Sequence, residues 1–289
     1  MTIVDTAKLP WDQRQRFMLL EARMIWDGQI RVGDLRDAFD ISTRKAEKDF
    51  QLYRARCPNN LVLDNETGIY RADDRFEPAF LRGTAEEFLT VLRHHDLAQD
   101  LPLAMAAGGQ VPAETLDLPQ REFDVRVLQR IGGAIRERRW LAIEYQSMNR
   151  PDPRRLLIAP HSLAYVGRWH ARAYSNDHQA FRDFLLSRII GLPELGEAAN
   201  IDSDQDWDWR NHVCVRIGPH PQLTDPQKRV VEHDFGMRRG MLEKNLRLAL
   251  VPYLLKMLNV GRGDVDRPAA EQQIVLLNQA ELDAFNRLG

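Results

Sequence analysis

The segment from Ser42 to Arg56 constrains the fold of this chain most, because its apolar and polar residues recur with the period of a helix. At about 100° per residue, one side of that helix is apolar and aromatic: Ala46, Phe50 and Tyr53. The opposite side is cationic or carries an amide: Arg44, Lys48 and Gln51. Long side chains of this kind reach phosphates and base edges in a DNA major groove. An ordinary solvated amphipathic helix has the same pattern, so the flanking segments must decide.

The flanking segments favour a winged helix-turn-helix in residues 1–75. Residues 11–27 have helical spacing, and residues 33–39 make a short second helix. Asp40 and Ile41 leave room only for a tight connection, and Ser42 is a suitable N-cap for the third helix. Two short strands, 61–63 and 69–70, follow around a turn that contains Gly68. A generic small α+β unit is the alternative interpretation.

The charge balance restricts where DNA could be bound. The chain of 289 residues has a formal net charge of −2, and residues 1–75 carry 13 basic and 13 acidic side chains. A contact with DNA must therefore come from a local patch, and segment 42–56 has five basic and two acidic residues. The predicted DNA-binding residues lie on this helix and at the tip of the hairpin: Ser42, Thr43, Arg44, Lys45, Lys48, Gln51, Asn65 and Thr67.

Length and composition indicate a globular protein of two or three domains, with 44% hydrophobic and 28% charged residues. The two cysteines, Cys57 and Cys214, are far apart, which is typical of a reducing compartment. The sequence has no signal-peptide pattern and no long apolar run, so we expect a cytoplasmic protein without membrane contact.

Residues 76–120 are interpreted as a helical connector. Thr84 and Glu87 have capping-box spacing at the start of a helix, whereas Pro102, Gly108 and Pro119 indicate an extended second half. A further helix is predicted over about 122–138.

The hydrophobic period changes to two between residues 139 and 190, which predicts five closely spaced strands in a strongly curved sheet or small barrel. The predicted strands cover residues 141–145, 156–159, 163–166, 169–174 and 184–190. On the strand from Trp169 to Tyr174, one face carries Trp169, Ala171 and Ala173, which suits a core. The other face carries polar groups: His170, Arg172 and Tyr174. Such a row is costly to bury unless it meets solvent or a ligand.

The polar row predicts a site for a phosphate or an oligonucleotide, because arginine binds phosphate with two hydrogen bonds and tyrosine stacks on bases. Further candidates come from neighbouring strands or strand ends: Tyr145, His161, Ser162, Arg182 and Arg188. A solvent-facing sheet with cross-strand pairs is the alternative.

The last third of the chain, residues 201–289, is predicted as a small α/β unit with the order strand, helix, helix, strand. It begins with an acidic segment that is interpreted as a solvated linker, with a site for a divalent ion as the alternative: Asp202, Asp204, Asp206 and Asp208. Thr224 and Gln227 have capping-box spacing at the start of its first helix.

Enzymatic and metal sites are not favoured, and no cofactor is expected. His94 and His95 are adjacent, and His212, Cys214 and His220 lack a paired short spacing. His161 and Ser162 could suggest a base and a nucleophile, but neighbours on a regular strand point to opposite faces.

Three segments resemble the WYL-domain transcriptional regulators: 159–163 (Ala-Pro-His-Ser-Leu), 167–174 (Gly-Arg-Trp-His-Ala-Arg-Ala-Tyr) and 181–189 (Phe-Arg-Asp-Phe-Leu-Leu-Ser-Arg-Ile). Together with the flanking units, the resemblance covers nearly the whole chain. The signature triplet departs from the family pattern in its second and third positions, His170 and Ala171. The chain is similar to the branch that regulates phage-defence operons such as BREX and CBASS clusters.

The resemblance implies an α+β multidomain protein. Its parts would be a winged helix-turn-helix (1–75), the connector (76–120), a WYL domain with an Sm-like β-barrel (121–200) and a C-terminal extension for dimerisation or regulation (201–289). It also implies a homodimer that represses transcription from an inverted-repeat operator in double-stranded DNA. A nucleotide or nucleic-acid effector would bind the WYL domain at six matching positions: His161, Ser162, His170, Arg172, Arg182 and Arg188.

Two functions remain open from the sequence. The first is an effector-responsive repressor. The second is an accessory protein that binds RNA or single strands through the basic face of the WYL barrel.

Overall fold

The computed structural model describes residues 9–93, 114, 116, 121–261 and 267–285. The chain forms two compact units, Met1–Leu118 and Pro119–Gly289. Much of the predicted connector, with its prolines and glycines, and the pair His94–His95 lie outside the described residues. The finer division at residues 75, 120 and 200 stays a prediction.

The first unit contains four helices and three strands in its described part: α1 (Trp11–Asp27), β1 (Gln29–Ile30), α2 (Val32–Phe39), α3 (Thr43–Arg56), β2 (Leu61–Asp64), β3 (Ile69–Ala72) and α4 (Ala85–Arg93). This is the order predicted from the sequence, with β1 in addition. A two-residue strand gives too little alternation to be recognised from sequence.

The connection between α2 and α3 is as short as predicted. Asp40 takes a left-handed conformation, with φ 47° and ψ 48°, which ends α2. Ser42 is the N-cap of α3, and its hydroxyl accepts a hydrogen bond from the Lys45 amide at 3.3 Å. The turn therefore fixes where α3 begins.

The strands form a small antiparallel sheet in the order β1-β3-β2. The turn between β2 and β3 contains Gly68 with φ 68°, a conformation that favours glycine. The Asp64 carboxylate accepts hydrogen bonds from the amides of Glu66 and Thr67 at 3.1 and 3.3 Å. The predicted hairpin is thus a defined wing rather than a loose loop.

The core of the first unit is formed by α1, α2, α3 and the loop after β3. Its largest fully buried side chains include Phe17, Leu20, Leu35, Phe50 and Tyr53. The inner stripe predicted for α3 lies in this core, since Ala46, Phe50 and Tyr53 are all 0% exposed. Burial of these side chains holds α3 against α1.

The second unit begins with one helix and a five-stranded sheet: α5 (Val125–Glu137), β4 (Arg139–Tyr145), β5 (Arg154–Tyr165), β6 (Trp169–Ser175), β7 (Ala180–Leu185), a 3-10 turn (Leu186–Arg188) and β8 (Ile189–Ala198). The strands are antiparallel in the order β7-β6-β5-β4-β8. Ile131 and Ala134 of α5 pack with Leu141, Ile143 and Ile158 of the sheet.

The expectation of a closed barrel is not confirmed. After β7 the chain turns through 186–188 into β8, and β8 pairs with β4. Within the described residues the two outer strands, β7 and β8, form no ladder with each other, so the sheet is open.

Strand β5 differs from the prediction of two separate strands, 156–159 and 163–166. It runs without a break past Pro160, and its register with β6 shifts between Pro160 and Ser162. This β-bulge allows a long strand to contain a proline. The bulge interrupts the alternation of apolar and polar residues, so the sequence pattern predicts a gap at this point.

The C-terminal part contains four helices, a 3-10 turn and three strands among the described residues: α6 (Trp207–Arg210), β9 (His212–Pro219), α7 (Asp225–Asp234), β10 (Leu242–Arg247), the turn Leu248–Leu250, α8 (Val251–Met257), β11 (Ile274–Leu276) and α9 (Gln279–Phe285). The sheet order is β10-β9-β11. The predicted capping box of Thr224 and Gln227 opens α7. No described helix has the length and apolar character required to cross a bilayer.

Candidate functional site

The outer face of α3 is exposed and polar, as the helical period predicts. Arg44, Lys48 and Gln51 are all exposed. Within the described residues, their side chains form no hydrogen bond or ion pair. Since no acidic side chain is paired with Arg44 or Lys48 in the described residues, the positive charge of this face remains available to an external partner.

Two buried polar contacts orient α3 on α1. The Asp49 carboxylate accepts hydrogen bonds from Arg16 Nε at 2.6 Å and from Gln13 Nε2 at 2.8 Å. Arg16 and Asp49 have side chains only 3% and 0% exposed. The Tyr53 hydroxyl donates a hydrogen bond to Glu21 Oε1 at 2.9 Å. These contacts fix the rotation of α3, which decides which side chains face outward.

Glu21, which accepts the hydrogen bond from Tyr53, forms several further hydrogen bonds. Its carboxylate also accepts hydrogen bonds from the amides of Ala79, Phe80 and Leu81 at 2.8, 2.8 and 3.0 Å. Burial raises the pKa of Glu21 above its usual value, although these hydrogen bonds act in the opposite direction. The chain after the wing is thereby tied to α1 and α3.

The remaining predicted DNA-binding residues also lie at the surface. Thr43 and Lys45 are exposed in the first turn of α3, next to the exposed Ser42. Asn65 and Thr67 are exposed at the tip of the wing. Hydrogen bonds from Thr67 and Glu66 hold the pKa of Asp64, at the base of this turn, below its usual value.

Sequence reasoning missed a further cation on this surface. Arg71 of β3 is exposed, and its Nη1 donates a hydrogen bond to Gln29 Oε1 of β1 at 3.0 Å. Because β1 was not predicted, the position of Arg71 on a three-stranded wing could not be inferred.

The second candidate site lies on the polar face of β6. Arg172 is only 6% exposed. Its Nε and Nη2 donate hydrogen bonds to the two carboxylate oxygens of Asp206 at 2.7 and 3.0 Å. Asp183 Oδ1 and Asp208 Oδ2 lie 3.4 and 3.6 Å from its terminal nitrogens. The arginine that was predicted to meet a ligand therefore meets three carboxylates of the same chain.

The acidic segment is consequently not the solvated linker that was predicted. Asp206 is 1% exposed, and its Oδ1 also accepts a hydrogen bond from the Trp209 amide at 3.2 Å, which caps α6. Burial by itself would raise the pKa of Asp206, but hydrogen bonds from His161 and Arg172 and the charge of Arg172 lower it to about 2. Asp206 is therefore ionised at neutral pH. The other three aspartates of this segment are not buried, which is why the run as a whole reads as solvated.

His161 and Ser162 do meet, contrary to the expectation for neighbours on a strand. His161 Nδ1 lies 3.0 Å from Ser162 Oγ, and His161 Nε2 lies 3.0 Å from Asp206 Oδ2. The reason is the bulge between Pro160 and Ser162, which breaks the two-residue alternation. Both side chains therefore reach the neighbourhood of Arg172.

His170 occupies the next position on the same face. Its ring lies 5.4 Å from the ring of Tyr253 of α8, and Tyr253 donates a hydrogen bond to Asp183 Oδ2 at 2.9 Å. Burial lowers the pKa of His170, and the charges of Arg168 and Arg188 act in the same direction, whereas the hydrogen bond to the Arg168 carbonyl and the charge of Asp183 act against it. Burial and Asp183 raise the pKa of Tyr253.

Four predicted ligand-binding residues form no hydrogen bond or ion pair with Arg172. Tyr145 accepts a hydrogen bond from the Leu185 amide at 3.2 Å and packs edge-on against Phe184. Tyr174 donates to Gln179 and reaches the cluster only through the ring of Phe181. Arg182 is exposed and lies opposite Ala173 in the ladder, on the face away from Arg172. Arg188 is half-buried in the 3-10 turn.

Sequence reasoning missed the acidic side of this site: Asp183, Asp206, Asp208 and the hydroxyl of Tyr253. The run of alternating aspartates was a usable signal, but its contact with Arg172 spans more than thirty residues of sequence. Among the described residues, no three His, Cys, Asp or Glu side chains are grouped so that they could hold a metal ion.

Family comparisons cover three parts of the chain. Residues 12–94 match the winged helix-turn-helix domain of the BrxR transcriptional regulator, 126–193 match the WYL domain, and 212–282 match the C-terminal dimerization domain of the BrxR transcriptional regulator. The chain is 35% identical to the DNA-binding transcriptional repressor CapW of Stenotrophomonas maltophilia, over 98% of this chain and 95% of the relative. This chain belongs to the BrxR and CapW family of transcriptional regulators.

Other relatives agree with this membership. The chain is 33% identical to the CapW repressor of Pseudomonas aeruginosa, over 94% of this chain and 91% of the relative. It is 32% identical to the CapW repressor of Escherichia coli, over 95% of this chain and 92% of the relative. These relatives are named as repressors and not as enzymes, so the expected absence of an enzymatic role agrees with the family.

Among solved structures, the proteasome accessory factor B/C of Arthrobacter aurescens matches 100% of this chain and 50% of its own chain. Its sequence identity is 16% and its TM-score is 0.26.

Proposed function

We propose that this chain is a homodimeric repressor that reads duplex operator DNA through α3 and is controlled by an effector at its WYL sheet. The observation that carries the proposal is the division of α3 into two faces. Its inner stripe is fully buried, whereas Arg44, Lys48 and Gln51 are exposed and have no partner among the described residues. A rigidly mounted helix with unpaired cations and an amide suits the major groove.

The groups around α3 suit the DNA backbone. Ser42, Thr43 and Lys45 lie at the start of the helix, where exposed amides and a positive helix end favour phosphate. Asn65 and Thr67 at the wing tip, and Arg71 on its strand, would reach the adjacent backbone. Phosphate contacts of this kind set the register of the protein, while the outer face of α3 reads bases.

The dimer is proposed from the C-terminal part, which matches a dimerization domain. A two-fold dimer brings two copies of α3 to the DNA, and their half-sites would be about 34 Å apart or a multiple of this spacing. The operator is therefore expected to be an inverted repeat. Because the similar CapW proteins are named as repressors, we propose repression, and the resemblance to phage-defence regulators points to a defence operon as the target.

The alternative, an RNA-binding or single-strand-binding protein that uses a basic WYL face, is less well supported. Arg172 was the central cation of that face, and Asp206, Asp183 and Asp208 already surround it. While Asp206 is docked, a face with three carboxylates around its central arginine repels a polyanion.

The proposal is tested by removing two charges from α3 in the full chain. Arg44→Ala combined with Lys48→Ala should weaken binding to the upstream DNA of its own gene by about 100-fold or more, because both base and phosphate contacts are lost. Gel-shift titration measures the effect. The control is Arg130→Ala with Arg136→Ala, which removes two exposed positive charges from α5. Equal affinities for the native chain and the α3 variant would refute the proposal.

A further inference from the structure

The guanidinium of Arg172 is bound in the way that an arginine binds an oxyanion. Two of its nitrogens donate to the two oxygens of one carboxylate, at 2.7 and 3.0 Å, and that carboxylate belongs to Asp206. A phosphate group presents two oxygens to arginine in the same manner. His161 Nε2 contacts the same carboxylate at 3.0 Å, and the Ser162 hydroxyl lies behind His161. Asp206 thus occupies a position built to hold an anion.

The charges around Arg172 exclude an external anion from its guanidinium while the Asp206 carboxylate is bound to it. One guanidinium faces Asp206, Asp183 and Asp208, and its neighbour His170 is held towards its neutral form by burial. Three carboxylates around a single arginine repel any further negative group. An external anion can bind Arg172 only if the segment that carries Asp206 and Asp208 moves away.

That segment has few other attachments to the WYL sheet. It connects β8, which ends at Ala198, to β9, which begins at His212, so it joins the WYL sheet to the C-terminal sheet. Most hydrogen bonds of residues 202–206 are internal to the segment, such as Asp204 to Asp202 and Gln205 to Asn200. The direct contacts of the segment with the sheet come from Asp206, from Asp208 at 3.6 Å from Arg172, and from the Trp209 ring, which lies 5.6 Å from the ring of His161. Asp202 adds a partly exposed ion pair with Arg138, the C-cap residue of α5, at 3.6 Å.

We propose that Asp206 is a built-in competitor for a phosphate-bearing effector, which binds Arg172 and His161 by displacing Asp206 and thereby releases the segment between the WYL and C-terminal sheets. This inference rests on the proposed function, because it supplies the step by which an effector changes the dimer. Binding of the phosphate and docking of Asp206 exclude each other, so the effector binds one arrangement only.

A second contact would hold the C-terminal part on the WYL sheet after Asp206 is displaced. Tyr253 of α8 remains hydrogen-bonded to Asp183 on β7, at 2.9 Å, and its ring packs on His170. The C-terminal part therefore keeps one contact with the sheet when Asp206 leaves. Arg168 and Arg188 lie near enough to His170 to affect its charge, and in the described part of the chain their guanidinium groups have no hydrogen bond or ion pair. They would accept the remaining charge of the phosphate.

The test compares Asp206→Asn with Asp204→Asn in the full chain. Both changes remove one negative charge from the same segment, but Asp204 is exposed and its carboxylate contacts none of the described residues. The probes are inorganic pyrophosphate, a 5′-phosphorylated dinucleotide and the same dinucleotide without its terminal phosphate. Binding is measured by calorimetry. Comparison of the three probes distinguishes free phosphate from a nucleotide as the source of the anion.

Asp206→Asn should bind at least one phosphate-bearing probe at least about tenfold more tightly than the native chain, because the competing carboxylate is gone. Asp204→Asn should bind as the native chain does. Arg172→Gln combined with Asp206→Asn should lose binding. Equal affinities for the native chain and Asp206→Asn, or the same gain in Asp204→Asn, would overturn the proposal.

A measurement on the native chain covers the case in which Asp206→Asn does not fold. Saturating pyrophosphate should increase amide hydrogen exchange in residues 203–210 and leave β6 unchanged. Slower or unchanged exchange in 203–210 would contradict displacement. Failure of the operator proposal would be seen separately, because Arg44→Ala with Lys48→Ala should lose DNA binding and still bind pyrophosphate.

Discussion

Single buried polar residues set the geometry of the winged helix. Glu21 accepts hydrogen bonds from Tyr53 on α3 and from three amides of the chain after the wing. Asn60 extends this network, since its Nδ2 donates to the Tyr53 hydroxyl at 2.9 Å and to the Glu77 carbonyl at 2.8 Å. A fully satisfied buried network of this kind favours one arrangement of its elements over others.

The first prediction at this scale concerns pH. Because burial raises the pKa of Glu21 above 4.5, the folded state binds this proton more tightly than the unfolded state. The contribution of the Glu21 proton to stability is full below pH 4.5 and is lost as the pH rises through the folded-state pKa. Glu21→Gln removes this dependence. The stability difference between the native chain and Glu21→Gln should therefore shrink from pH 4.5 to about pH 7 in urea unfolding.

Glu21→Gln should also destabilise the first unit by about 1–3 kcal/mol at all pH values. The side-chain NH2 group of the glutamine would face backbone N–H groups, which are also donors, so hydrogen bonds would be lost. Glu47→Gln is the control, since Glu47 is exposed on α3 and has no partner among the described residues. A stability difference that stays constant or grows with pH would show that the pKa of Glu21 is not raised.

At the scale of elements, α1 and α3 act as one rigid pair. Arg16 and Asp49 form a buried ion pair between them, and Phe17 packs edge-on against Tyr53 at 5.4 Å. Removal of one partner from a buried pair leaves the other charge uncompensated, whereas replacement of both by apolar groups is tolerated.

Asp49→Ala should thus cost about 3 kcal/mol in the free energy of unfolding, reduced to the extent that Asp12 still pairs with Arg16. Arg16→Met combined with Asp49→Leu should recover most of this loss. Chemical unfolding provides the measurement. The comparison variant is Asp37→Ala, which breaks the exposed Arg36–Asp37 pair and should change stability far less, because solvent screens exposed pairs. Similar costs for Asp49→Ala and Asp37→Ala would contradict the role given to the buried pair.

Much at this scale could be predicted from sequence. The helices α1 and α3, the N-cap Ser42 and the capping box at Thr224 depend on residues a few positions apart, and all are confirmed. The misses have long-range causes. Strand β1 exists because it pairs with β3, and β5 passes Pro160 because a bulge absorbs it. The hydrophobic period of a short segment predicts neither the pairing of β1 with β3 nor the bulge in β5.

For the whole molecule, the predicted sites differ in how far the sequence could define them. The outer face of α3 lies on one helix, so its exposed residues follow from the period of that helix. The Arg172 site combines β5, β6, β7, the segment before β9 and α8. The basic residues His170 and Arg172 lie on one strand, so sequence alone could place them together. The acidic residues and the Tyr253 hydroxyl that surround Arg172 lie 11 to 81 residues from it in the sequence. The open sheet was missed for the same reason, since strand order depends on tertiary pairing.

The C-terminal part, which matches a dimerization domain, is attached to the WYL sheet through Asp206 and through Tyr253. Under the proposed function, a change in either attachment would alter how the second unit holds a partner copy. The spacing of the two DNA-reading surfaces, which must match the helical repeat of DNA, would then change.

A footprint on the upstream DNA tests the central claim most directly. The native protein should protect two major-groove segments related by two-fold symmetry, with centres about 34 Å apart or a multiple of that distance. Arg44→Ala with Lys48→Ala should lose both protected segments, whereas Arg130→Ala with Arg136→Ala should retain them. Protection that persists in the α3 variant, or a single unpaired protected segment, would contradict the account.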